Sequence, residues 1–138
     1  MELTKQLASV ATRILERALR RRTGVTAYAA DGQYVYRGIG RGHPVERDFY
    51  SDRGKERPRA PDQDYMDYVG LSVFGSLEAA ESNMVRYPKR IARVLLEDGC
   101  GFMIARTYAD IDQHYTIWGD PRDLLTRVEA VSRFDEPE

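Results

Sequence analysis

Apolar residues recur at helical spacing from the start of the chain: Leu3, Leu7, Val10, Ala11, Ile14, Leu15, Ala18 and Leu19. The stripe predicts one long amphipathic helix over residues 4–22. Thr4 suits its N-cap, Arg20, Arg21 and Arg22 suit the negative end of the helix dipole, and Gly24 stops it. Strand formers then dominate residues 25–29 and 33–37. Asp31-Gly32 between them predicts a hairpin with a tight turn. The texture changes again from 41 to 64, where 12 of 24 residues are charged and Pro44, Pro58 and Pro61 interrupt. This reads as a long mobile loop, a lid or a recognition arm. Residues 68–74 predict a short strand. Ser76 then caps a helix that carries Glu78 and Glu81 early and is ended by Pro88. Two strands follow, over 91–96 and 102–108, joined through Glu97-Asp98-Gly99, and a third over 113–118. Asp120-Pro121 allows a short helical turn, and residues 126–134 give a last strand. Helices and strands do not alternate as in a βαβ series. The predicted class is therefore α+β, with a mainly antiparallel sheet, a long N-terminal helix and one further helix.

The composition narrows the picture. A chain of 138 residues is one domain, residues 1–138, and 42% hydrophobic residues can fill its core. Lys and Arg number 21 against 22 Asp and Glu. That balance excludes a strongly basic nucleic-acid coat and an acidic disordered tail as descriptions of the whole chain. Cys100 is the single cysteine and only His43 and His114 accompany it, which disfavours a disulfide and a structural zinc site. No apolar run approaches the roughly 20 residues that span a bilayer. The N-terminus alternates apolar and charged residues, unlike a signal peptide. The expectation is a soluble, cytoplasmic domain without membrane contact. Charge is nonetheless uneven: residues 1–22 carry six basic and two acidic groups, and residues 109–138 carry three basic and eight acidic. Such asymmetry steers association with a protein partner or a second copy. Contact with nucleic acid through Arg20–Arg22, Arg53, Arg57 and Arg59 is disfavoured, because Glu46, Asp48, Asp52, Glu56, Asp62 and Asp64 nearly cancel the loop's charge.

Several motifs fall away. Gly38-Ile39-Gly40-Arg41-Gly42 has the wrong spacing for a dinucleotide loop and no helix follows, so it reads as a hinge. Asp110-Ile111-Asp112 could offer two carboxylates to a divalent metal, but a loop before a strand is the simpler reading. Met84, Leu77 and Ala80 share helical spacing and read as core.

Three pieces survive together. They are Tyr36-Arg37-Gly38 at the end of an early strand, the run from Ser72 to Ala80 (Ser72-Val73-Phe74-Gly75-Ser76-Leu77-Glu78-Ala79-Ala80), and the late stretch Asp112-Gln113-His114-Tyr115-Thr116-Ile117-Trp118 with Gly119-Asp120-Pro121 after it. In this order they resemble the ADP-ribosyltransferase superfamily, in the class with an arginine on the first strand, a serine on a middle strand and a glutamate on a late one. The resemblance touches residues 34–81 and 113–131. It implies a small split α+β fold that grips NAD, the substrate, in a cleft. Arg37 would then contact the NAD phosphates or ribose, Ser72 would match the serine, and Phe74 or Tyr36 would stack on nicotinamide. The glutamate has no match here. Asp112 or His114 takes its place, or transfer activity is absent. On this reading the chain is an ADP-ribosyltransferase or NAD glycohydrolase acting on an unknown acceptor. The alternative is a non-catalytic interaction module or a homodimeric regulatory domain.

The chemistry explains the residue types. Cleavage between nicotinamide and ribose places positive charge on the sugar, which a nearby carboxylate stabilises. A guanidinium forks onto pyrophosphate with two hydrogen bonds. Strand alternation puts Asp112, His114, Thr116 and Trp118 on one face, which reads as ligand-facing, and Gln113, Tyr115 and Ile117 on the other, which reads as the core side. Each residue also has a plainer role open to it. Arg37 fits a strand-end arginine with its stem on the sheet, Ser72 a strand-end hydrogen bonder, and His114 a satisfied sheet histidine.

Overall fold

The computed structural model describes residues 27–40, 43–63, 65–83 and 90–133. Seven strands form one fully antiparallel sheet: β1 (Ala27–Ala29), β2 (Gln33–Ile39), β3 (Leu71–Phe74), β4 (Arg90–Leu96), β5 (Met103–Arg106), β6 (His114–Trp118) and β7 (Val128–Arg133). Their order across the sheet is β1-β5-β6-β3-β2-β4-β7. Three short helices interrupt them, α1 (Tyr65–Val69), α2 (Leu77–Asn83) and α3 (Pro121–Thr126), with a 3-10 turn over Glu46–Phe49.

This architecture corrects the expected class. The described residues are dominated by one continuous seven-stranded sheet, and none of their helices exceeds seven residues, so the expected split-sheet α+β class does not describe them. The helix expected over residues 4–22 lies outside the described residues. The physical reason for the change is strand alternation. β2 buries Val35 and Ile39 and β4 buries Ala92, Val94 and Leu96 on the same face, and together they seed a ladder from Gln33↔Leu96 to Ile39↔Arg90.

The expected hairpin is also corrected. Asp31-Gly32 does turn the chain, with Gly32 at φ +108°, but β1 pairs with β5 while β2 pairs with β3 and β4. In a flat sheet β1 and β2 would lie four strand spacings apart, about 19 Å. The chain from Ala29 to Gln33 can reach only about 14 Å. The sheet must therefore curl. The short link fastens the curl by donating from Ala30 N to Phe102 O (2.9 Å) and from Gly32 N to Leu96 O (2.8 Å).

The concave face holds the main core: Val35, Ile39, Leu71, Val73, Ala92, Val94, Leu96, Ile104 and Ile117 from the strands, with Phe102. Phe49 of the 3-10 turn and Leu124 of α3 belong to the same cluster and close it. A smaller cluster on the convex face joins Ala27, Met103, Ala105 and Trp118 to Met66 of α1. Residues 68–74, expected as one strand, divide into the end of α1, Gly70 and β3. The two caps match expectation. Ser76 Oγ accepts from Ala79 N at 3.1 Å ahead of α2, and Asp120 accepts from Arg122 N at 2.9 Å ahead of α3, where Pro121 stands first.

Candidate functional site

β2 and β3 share a single register pair, Tyr36↔Phe74. Beyond it they part, and β3 loses a backbone partner on that side from Ser72 to Leu71. Arg37 fills the opening. Its stem leaves β2 on the concave face between Val35 and Ile39, and its Nη1 donates to Ser72 O at 2.8 Å. Its Nε donates to Asp48 O at 3.1 Å. The side chain thus replaces a ladder hydrogen bond and ties the 3-10 segment to the sheet. Burial pushes the guanidinium down to about 10, against the pull of Asp48 and Asp52. It remains charged at neutral pH.

Arg37 and Ser72 border one cleft of about 180 Å3, together with Tyr50, Asp52, Lys55, Arg57, Asp67 and Thr116. The segment expected as a mobile loop builds one wall. Between 51 and 57 it winds through successive turns: Gly54 N donates to Ser51 Oγ, Lys55 N to Ser51 O, Glu56 N to Arg53 O and Arg57 N to Asp52 O. Arg53 N donates to Tyr68 O (3.1 Å) and Tyr68 Oη to Arg57 O (2.6 Å), which fastens these turns to α1. Residues 43–63 thus hold one 3-10 turn, and from 50 to 63 they run as hydrogen-bonded turns and irregular backbone.

The cleft's polar groups are unevenly engaged. Asp52 accepts from Gln63 Nε2 at 3.0 Å and lies 3.6 Å from Arg57 Nη1. Asp67 accepts from Tyr108 Oη at 2.8 Å. Lys55 is partly buried, and among the described residues its ammonium has no carboxylate within ion-pair distance. Burial together with Arg37 and Arg57 holds its pKa below the usual lysine value.

Two larger depressions flank the cleft. One, about 530 Å3, shares Tyr50, Ser51 and Leu71 with it and has a floor that includes Phe49, Ile117 and Leu124. The other, about 590 Å3, shares Asp52, Arg57, Gln63 and Tyr108 and adds Pro58 and Asp62.

The six residues singled out from sequence are divided by this geometry. Arg37 and Ser72 meet, but through the serine's carbonyl. Ser72 alternates with buried Leu71 and Val73, so its hydroxyl points to the convex side. Tyr36 and Phe74 face one another across the ladder, away from the cleft lining. Asp112 is exposed in the turn before β6, and Gln113 at φ +54° breaks the alternation that would have aligned it with His114. His114 is only 5% exposed, edge-on to Phe74 and Tyr108 with ring centres at 5.4 and 5.1 Å. Its Nδ1 lies 3.2 Å from Thr107 O and 2.8 Å from Thr107 Oγ1, which is 2.8 Å from Thr116 Oγ1. A carbonyl only accepts, so that contact is a hydrogen bond only with the ring proton on Nδ1, whereas the shorter hydroxyl contact serves either tautomer. Burial lowers the imidazole's pKa. His114 thus stands one step behind the cleft, joined to it through two hydroxyls.

Lys55, Asp67 and Tyr108 were not singled out as cleft residues by sequence, whereas Thr116 was placed on the expected ligand-facing side of the late strand. The density of charge in 41–64 was the available signal for Lys55, and nothing local marks Asp67. Compared with known proteins, the chain matches no family model, no curated protein and no solved structure. Among the described residues no helix is long and apolar enough to cross a membrane.

Proposed function

We propose that the cleft binds NAD or a closely related dinucleotide, and that the bound molecule is cleaved at its nicotinamide bond, giving ADP-ribose to water or to a protein acceptor. The observation that carries the reading is the placement of Arg37: anchored by two backbone carbonyls, it faces a small polar cleft between two larger pockets. At about 180 Å3 the cleft is smaller than the roughly 300–1,000 Å3 that hold whole small ligands. It suits a pyrophosphate, and each flanking pocket suits one nucleoside half. A dinucleotide has that shape.

Two of the five guanidinium donors are engaged, which leaves donors for a phosphate oxygen. For the sugar charge that develops on cleavage, the carboxylates in reach of the cleft are Asp52 and Asp67, not the exposed Asp112. In hydrolysis the C1′–N bond breaks with its electron pair leaving on nicotinamide. Water adds at C1′ and gives up a proton. Asp67, held by Tyr108, is the carboxylate assigned to the sugar charge.

Thermal unfolding in the presence of NAD tests the binding step. Ligand at 100 times its dissociation constant should stabilise the native protein by about 2.7 kcal/mol. Arg37→Ala should remove that gain. Asp67→Asn should keep the gain and lose nicotinamide release, followed by chromatography. No stabilisation of the native protein by millimolar NAD or ADP-ribose would overturn the proposal.

A further inference from the structure

We infer that Lys55 and Arg57, carried by the turns of residues 51–57, join Arg37 in a three-cation subsite for a phosphate or pyrophosphate group. The inference deepens the dinucleotide reading, on which it rests for the ligand's identity, but the anion itself can be tested apart. Three observations converge. Lys55, Arg57 and Arg37 border the same cleft. Lys55 is partly buried and has no carboxylate within ion-pair distance among the described residues, which leaves its ammonium donors for a ligand. The two acids that border the cleft are held by other partners, Asp52 by Gln63 and Arg57 and Asp67 by Tyr108, so the lining carries three cations against two carboxylates. Like charges gathered in one cleft repel, and an anion between them removes that cost.

The three cations do different work. Arg37 is fixed by two backbone carbonyls and supplies directional donors. Lys55 is a point charge on a flexible stem and can follow a phosphate oxygen. Arg57 is more exposed, already shares Asp52, and sits where the cleft opens into the 590 Å3 depression, so it contributes mainly to attraction at the entrance. The subsite spans two distant parts of the chain. The strand supplies one cation and the charged segment two, which gives that segment's density of charge a purpose. Phosphate should then draw the 51–57 turns and β2 together.

Calorimetric titration of the full-length protein with inorganic pyrophosphate tests this. The native protein should bind it, and more weakly as salt is raised. Lys55→Gln should weaken binding at least tenfold, and Lys55→Arg should restore most of it. Circular dichroism melts of each variant confirm that the fold is kept. No binding of millimolar pyrophosphate at low salt, or native-like binding by Lys55→Gln, overturns the subsite. If pyrophosphate binds in a Lys55-dependent way and NAD does not displace it, the subsite stands and the dinucleotide reading falls. If NAD binds equally well to Lys55→Gln, the dinucleotide reading stands and the subsite falls.

Discussion

Arg37 carries its charge on the core side of β2, beside Val35 and Ile39, and gains two carbonyl partners for it. Burial works against the charge, and the charge-assisted hydrogen bonds work for it. Because the cleft admits water, the carbonyls of Asp48 and Ser72 would be resolvated if the side chain were removed. Arg37→Met should therefore destabilise the ligand-free protein by only about 1 kcal/mol, near the net worth of an ordinary hydrogen bond, as read from urea midpoints. A loss above about 3 kcal/mol would make the residue a structural clamp instead. His114 gives a pH prediction. Its folded pKa is lowered by burial, while in the unfolded chain it titrates near the ordinary value of about 6.5. Above that pH neither state takes the proton. Below it the unfolded state binds more protons, so stability is lost as pH falls from about 6.5 through the folded value. Urea midpoints at pH 7 and pH 5.5 should differ in the native protein, and His114→Gln should reduce the difference. A native midpoint that does not fall between those pH values would contradict the assignment.

Among the elements, α1 decides how closely the cleft is built. It reaches the convex face of the sheet over Gly70, where an added Cβ would lie 2.5 Å from Thr116 Cγ2, 2.8 Å from Trp118 Nε1 and 2.9 Å from Met66 O. Trp118 Nε1 donates to Met66 O at 3.0 Å, which is the contact such a Cβ would push apart. Gly70→Ala should cost about 1–3 kcal/mol by overpacking and should weaken ligand binding, since Gly70 and Thr116 both border the cleft. Thermal melts with and without NAD measure both effects. Most strands, the α2 and α3 starts and their caps could be read from sequence, because alternation, Ser76 and Asp120-Pro121 act locally. Pairing could not. Asp31-Gly32 makes a turn whether its strands pair or separate, and only long-range packing sends β1 to β5. The same limit applies to the site. Arg37 stood out because it ends an early strand, and the resemblance named it. Lys55 and Asp67 reach the cleft through turns and a short helix that no periodicity announces.

At the scale of the whole molecule, the curl of the sheet creates the site. A three-residue link between strands four places apart forces the concave face inward, and the 3-10 turn with α3 closes it through Phe49 and Leu124. β2 and β3 keep one register pair, and their parting opens the cleft into which both pockets lead. On the proposed reading, a dinucleotide's phosphates occupy this opening. The most direct measurement is an NMR titration of isotope-labelled protein with NAD, following Arg37 Nε–H and the backbone amides of residues 51–57 and 70–73. Saturable shifts are expected at these positions, reproduced in part by inorganic pyrophosphate. Unmoved signals at millimolar NAD, or shifts confined to another part of the sheet, would contradict it.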